Sequence, residues 1–138
     1  MATTFVAYVP RKRMPSVAEL NRAMSSRGFR VKLDSESPLE SLGGDLPLKV
    51  DGETVPVQLA ISALQGPEVD AERERLEAAG DADSEKRLTV YKTTDVRFAF
   101  SADDANAGWA RDTARALALL ACGAFENTAD GKLLHFGY

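Results

Sequence analysis

Cysteine and histidine are almost missing from this chain of 138 residues, which holds one of each, Cys122 and His135. A single cysteine excludes a disulfide within the chain, so the sequence favours a reducing compartment and we expect a cytoplasmic protein. One cysteine and one histidine also exclude a structural zinc site within one chain. Because Cys122 ends an apolar helical segment, where burial disfavours the thiolate, we expect it to be a buried, inert thiol. We likewise expect His135 to be a structural or surface histidine.

Long apolar runs and glycine-rich loops are missing as well. No stretch approaches the roughly 18 apolar residues of a membrane span. The N-terminal sequence MATTFVAYVPRKRMP places its basic residues after its apolar run, which is the reverse of a secretory signal. Gly43-Gly44 stands without the glycine spacing of a phosphate-binding loop. We therefore expect no membrane anchor and no bound cofactor or metal.

Carboxylates, in contrast, are plentiful and unevenly placed within a net charge of −4. Residues 1–33 carry seven basic residues and one acid, whereas residues 68–85 carry eight acids and two arginines. Such asymmetry can steer a charged partner, although two solvated faces of different charge would give the same pattern. The isoelectric point near 5.0 argues against a dedicated nucleic-acid binder. The acids predicted to bind a protein partner are Glu68, Asp70, Glu72, Glu74, Glu77, Asp81 and Asp83.

The first half of the chain predicts strand, helix, strand and then a hairpin. Residues 3–9 are β-branched and aromatic, which is typical of a strand. Ser16 and Glu19 form a capping-box pattern that begins a helix, and residues 29–34 alternate as a second strand. Asp51-Gly52 is a two-residue hairpin turn. This turn sets Val50 opposite Glu53, Leu48 opposite Val55 and Leu46 opposite Val57, and prolines 47 and 56 indicate edge or interrupted strands.

The second half predicts a surface helix, a long strand and a buried helix. Residues 68–79 suit a helix with little to bury, and residues 80–84 are typical of a turn or loop. Residues 87–100 alternate in polarity, which fits one long strand or two pieces joined near Thr93-Thr94, and we favour one long strand. A second capping-box pattern at Ser101 predicts the start of an apolar helix, for which Gly123 is a plausible cap. A turn at Asp130-Gly131 and a short strand over residues 133–136 end the chain.

Together these elements predict one α+β domain over residues 1–138. We expect a mainly antiparallel sheet of about 5–6 strands, with two packed helices on one face and one acidic surface helix.

The C-terminal third resembles a group of small bacterial proteins. A strand, VRFAFSADD, precedes an Ala/Leu-rich helix, ARALALLACGA, and a segment FENTADGKLL with a D-G turn. Over roughly residues 88–136 this is similar to α+β immunity proteins of polymorphic or type VI toxin systems. Their helix typically ends in Gly-Gly before an aromatic residue and a D-P-Q-x-G turn, whereas this chain has only Gly123 and carries Thr128-Ala129-Asp130. The resemblance implies an immunity role and no catalytic residue.

Three classes of function fit these observations. The first is a non-catalytic protein-binding domain, in its sharpest form a cytoplasmic immunity protein that neutralises a cognate, basic toxin domain. The second is a structural or assembly subunit of a phage or secretion system. The third is an enzyme that uses carboxylates without histidine or cysteine; the pairs Asp103-Asp104 and Asp81/Asp83 would be its candidates. The partner, the interface and the oligomeric state are left open by the sequence.

Overall fold

Nine strands and four α-helices make up the computed structural model, which describes residues 2–136. The strands are β1 (Ala2–Val9), β2 (Val31–Leu33), β3 (Gly44–Asp45), β4 (Leu48–Val50), β5 (Glu53–Thr54), β6 (Gln58–Ala63), β7 (Val96–Asp103), β8 (Ala124–Asn127) and β9 (Lys132–His135). The helices are α1 (Val17–Ser26), α2 (Pro67–Ala79), α3 (Ala82–Thr93) and α4 (Ala107–Leu120). Between residues 2 and 136 no helix combines the length and apolarity needed to cross a membrane.

Six strands form one antiparallel sheet in the order β3-β6-β7-β1-β8-β9. The two central strands, β1 and β7, are each eight residues long and pair along their whole length. A smaller antiparallel sheet has the order β2-β4-β5. The predicted α+β class and the mainly antiparallel sheet are confirmed.

Both faces of the central strand β1 are buried, which explains its unbroken apolar run. Phe5, Ala7 and Val9 belong to the main core, which α1, α4 and the small sheet share. Val6 and Tyr8 point to the opposite face and join a second, smaller core that includes Val90 of α3. Helices α1 and α4 therefore cover one face of the sheet, and α3 covers part of the other.

The hairpin at Asp51-Gly52 has the predicted register. Both turn residues have positive φ, 53° and 85°, as a type I′ turn requires. Val50 pairs with Glu53, the Val55 amide donates to the Leu48 carbonyl at 2.9 Å, and the Leu46 amide donates to the Val57 carbonyl at 2.9 Å. The ladder breaks around Pro47 and Pro56, so its two halves lie in different sheets.

The long strand predicted over residues 87–100 is wrong. Its first part is the second half of α3, and only Val96 onward is strand. The predicted loop over residues 80–84 is instead the start of that helix, because the Asp81 carboxylate caps it by accepting the Ser84 amide at 2.8 Å. Leu88 and Val90 are both buried. Their spacing of two residues fits one face of a strand, whereas on a helix two residues so spaced point in different directions, which is why the pattern favoured a strand.

The helix predicted to begin at Ser101 also starts elsewhere. Residues 101–103 continue β7, because Ser101 pairs with Thr4 and Ala102 with Thr3 on the long central strand β1. The Asp103 carboxylate accepts the Asn106 amide at 3.1 Å, and α4 begins at Ala107. In this segment, pairing with β1 therefore outweighs the capping-box pattern, and the helix starts later than predicted.

Candidate functional site

The acidic segment folds into a helical hairpin made of α2 and α3. Gly80, in the left-handed conformation with φ of 65°, ends α2, and Asp81 begins α3 immediately afterwards. Helix α2 has one buried side chain, Leu76, whereas α3 buries Leu88 and Val90. Helix α2 therefore lies outermost, with most of its surface in solvent.

Most carboxylates of the hairpin are exposed, whereas the two arginines of α2 are engaged in contacts within the hairpin. The Arg73 guanidinium donates to the Tyr91 carbonyl at 2.8 Å, so this charge points inward. Arg75 forms a two-pronged ion pair with half-buried Glu72, which lowers the pKa of that carboxyl. Hydrogen bonds from the amide and then the hydroxyl of Ser84 lower the pKa of Asp81. The acidic surface is defined here as the exposed Glu68, Asp70, Glu74, Glu77, Asp81 and Asp83.

Six of the seven acids predicted from the sequence thus lie on one hairpin and face solvent, and the seventh, Glu72, is paired internally. Of the six, only Asp81 has a side-chain hydrogen bond to another described residue, and none has an ion pair within residues 2–136. Four basic residues follow along the chain: Lys86, Arg87 and Lys92 on α3, and Lys132 at the start of β9. The negative charge is therefore concentrated on α2 and on the first turn of α3.

A buried polar cluster fastens the hairpin to the sheet. Glu126 of β8 accepts the Tyr8 hydroxyl at 2.9 Å with one oxygen and the Arg87 guanidinium at 2.7 Å with the other. The side chains of Arg87 and Glu126 are 23% and 10% exposed. Burial, followed by the nearby Glu126 charge, raises the pKa of Tyr8, and the hydrogen bond to Glu126 raises the pKa of Arg87. Both oxygens of Glu126 are already engaged, which gives this carboxylate a structural role.

The only cysteine and the only histidine line the same cavity, and the prediction of a buried cysteine is wrong. Cys122 is half-buried instead of buried, and the Arg13 guanidinium donates to its sulfur at 3.7 Å. Both residues line a cavity of about 530 Å³ where β1 ends and β8 begins. The basic pocket is defined here by Lys12, Arg13, Lys92, Asp95, Cys122 and His135.

The backbone after α4 positions Cys122 in this cavity. The Gly123 amide donates to the Ala118 carbonyl at 2.9 Å and the Cys122 amide to the Leu119 carbonyl at 3.2 Å, which is a Schellman motif. Cys122 occupies its left-handed position with φ of 54°, where glycine is usual. A Cβ at the predicted cap Gly123 would strike the Tyr8 carbonyl oxygen, so glycine serves close approach there.

Other charged residues singled out in the sequence do not come together. Arg11 pairs with Glu40 and Arg30 pairs with Asp51, so the N-terminal basic residues divide among separate places. Within the described residues 2–136, no three His, Cys, Asp or Glu side chains are placed to hold a metal ion.

Comparisons of the chain with protein-family models, with curated proteins and with solved structures gave no match.

Proposed function

We propose that the protein is a non-catalytic binding domain that presents the acidic surface to a basic protein partner. The observation that carries this proposal is the set of six exposed carboxylates on one hairpin, with both neighbouring arginines turned to other contacts. A surface of one sign attracts an oppositely charged partner and speeds its docking. In its sharpest form, the partner is a toxin domain and this chain is its immunity protein.

The hairpin is firmly held, which supports a recognition role. Val90 packs into the second core beside Val6 and Tyr8, and Arg87 is bound to Glu126. A surface that is fixed before binding loses less conformational entropy on docking than a mobile one. The carboxylates of α2 are therefore presented by a helix whose neighbour is tied to the central sheet.

Charge complementarity increases the rate and the specificity of association more than it increases the affinity. The side chains of α2 include no large exposed apolar residue to act as an anchor. We therefore expect association to depend strongly on ionic strength, with the tight contacts supplied by residues around the acidic surface.

The experiment is a growth-rescue assay with products of the genes that adjoin this one. Each neighbouring gene is expressed in a heterologous bacterium, alone and together with this chain. We expect one neighbour to arrest growth and this chain to restore it. We also expect the triple variant Glu68→Lys, Glu74→Lys and Glu77→Lys to lose rescue, because it replaces three exposed negative charges by positive ones.

A matched control is available on another part of the surface. Glu36 and Glu53 are exposed and lie outside the hairpin, so Glu36→Lys with Glu53→Lys tests charge without touching the acidic surface. This control should still rescue growth. The proposal fails if no neighbour is toxic and bound by this chain, or if the triple variant rescues as well as the native protein. Glu72 is a poorer probe, because its reversal would also break the Arg75 ion pair.

The purified pair supplies the kinetic test. Raising the salt concentration should slow association of the native protein more than that of the triple variant, measured by surface plasmon resonance. Equal salt dependence for both proteins would show that the acidic surface does not meet the partner.

A further inference from the structure

The basic pocket lies where four segments of the chain meet. Lys12 and Arg13 come from the short 3-10 helix after β1, and Lys92 from the last turn of α3. Cys122 precedes β8, and His135 ends β9. Long-range folding therefore assembles the cavity, and no short stretch of sequence contains it.

Positive charge dominates this cavity. Three cations line it against a single carboxylate, that of Asp95, whose Oδ2 already accepts the Arg11 amide at 2.7 Å. Among residues 2–136, no carboxylate forms an ion pair with Lys12, Arg13 or Lys92. Cations gathered around a concave surface raise the local concentration of anions well above that in solution.

We propose that the basic pocket binds a small molecule through a phosphate or carboxylate group, held by Lys12, Arg13 and Lys92 beside the Cys122 thiol. Arg13 uses one N–H group on the Cys122 sulfur, and the guanidinium has further donors that can hold an oxyanion. His135 can contribute a ring nitrogen; its Nε2 lies 3.4 Å from the Thr93 hydroxyl. This site is separate from the acidic surface, and its occupant carries the opposite charge to the proposed partner.

Cys122 serves as a built-in probe because it is the only thiol of the chain. Iodoacetate is an anion and iodoacetamide is neutral, and each alkylates a thiolate in the same way. The sulfur forms a bond to carbon, iodide leaves with the electron pair, and the thiol proton passes to solvent. The ratio of the two rates cancels the intrinsic reactivity of the thiolate and reports the attraction of the pocket for an anion.

We expect this rate ratio, followed by mass spectrometry of the intact protein, to exceed that of 2-mercaptoethanol about tenfold. Lys12→Gln and Lys92→Gln should each lower the ratio severalfold. Lys86→Gln is the matched control, since Lys86 is exposed on the same helix as Lys92 but outside the pocket, and should leave the ratio unchanged. A ratio equal to that of 2-mercaptoethanol would overturn the proposal.

Protection experiments identify the anion. Inorganic phosphate and succinate are added separately, with potassium chloride at the same ionic strength as the reference. Saturable slowing of alkylation by phosphate alone assigns the site to phosphate groups, and slowing by succinate alone assigns it to carboxylates. Equal slowing by all three salts means simple screening of charge and refutes a binding site. Because these measurements use the native protein, they do not depend on whether any variant folds.

Discussion

Replacing Glu126 by leucine should destabilise the protein by about 3 kcal/mol, because one carboxylate holds two partners. The substitution leaves the Tyr8 hydroxyl buried without an acceptor, which costs about 1–3 kcal/mol. It also leaves the Arg87 guanidinium without its counterion. Breaking a fully buried pair costs about 3–5 kcal/mol, and the 23% exposure of Arg87 reduces that share because water can reach the charge.

The double variant Glu126→Leu with Arg87→Met separates the ion pair from the rest of the effect. It removes both charges, so its cost should fall to about 1–2 kcal/mol, mostly from the unpaired Tyr8 hydroxyl. The double variant should therefore be more stable than Glu126→Leu alone. Exposed Glu36→Leu is the control for the substitution itself and should change stability by less than about 0.5 kcal/mol.

Urea unfolding followed by two signals provides the measurement. Far-ultraviolet circular dichroism reports all helices, whereas fluorescence of the single tryptophan, Trp109, reports α4 in the main core. In Glu126→Leu we expect the dichroism transition to shift to lower urea than the fluorescence transition, because the hairpin loses its attachment first. The reasoning is refuted if Glu126→Leu costs less than about 1 kcal/mol, or if the double variant is the less stable of the two.

Three further predictions concern the backbone and the phenol at the same end of the sheet. Gly123→Ala should destabilise by at least about 3 kcal/mol in urea unfolding, because the added carbon meets the Tyr8 backbone. Gly108→Ala in the first turn of α4 should not destabilise and should gain at most about 1 kcal/mol. Similar effects at the two sites would contradict this explanation. Cys122→Gly should stabilise the protein by about 0.5–1 kcal/mol, because Cys122 has a positive φ that glycine adopts without strain. Cys122→Ala is the control and should leave stability unchanged. A higher melting temperature for the alanine variant than for the glycine variant would be inconsistent with the left-handed geometry. The raised pKa of Tyr8 means that the folded state holds its proton more tightly than the unfolded state, so the unfolding free energy should fall as pH rises above about 10. Tyr8→Phe should remove the part of this fall in unfolding free energy that comes from Tyr8. If the variant loses stability with pH as steeply as the native protein, Tyr8 is not its source.

The parts of the fold predicted from sequence are those decided by local chemistry. The Asp51-Gly52 turn needs positive φ at both positions, and its ladder follows by counting residues. The capping box at Ser16 is present with both of its hydrogen bonds. The same pattern at Ser101 failed because pairing with β1 along eight residues outweighs one cap.

Helix α3 was missed because its apolar residues are ambiguous. Leu88 and Val90 are two residues apart, as on one face of a strand, whereas the pair that shares a side of the helix is Leu88 and half-buried Tyr91, three residues apart. The residue that indicates a helix is Asp81, whose carboxylate accepts the Ser84 amide and so caps the start of α3. Once Asp81 is read as a cap, the acidic segment becomes a hairpin, which is why six predicted partner-binding acids share one surface.

The basic pocket could not be predicted because its assembly depends on the register between β8 and β9, which the sequence left open. A two-residue turn at Asp130-Gly131 would place Glu126 opposite His135. The structure instead uses residues 128–131 as the turn, so Ala124 pairs with His135. A shift of two residues keeps every side chain on its face of the sheet, and the apolar pattern therefore cannot detect it. That shift moves His135 to the level of Cys122, and the Schellman motif then turns the thiol into the same cavity. Two residues that are far apart in sequence, Cys122 and His135, are thus brought to one cavity by the turn before β9 and by the end of α4.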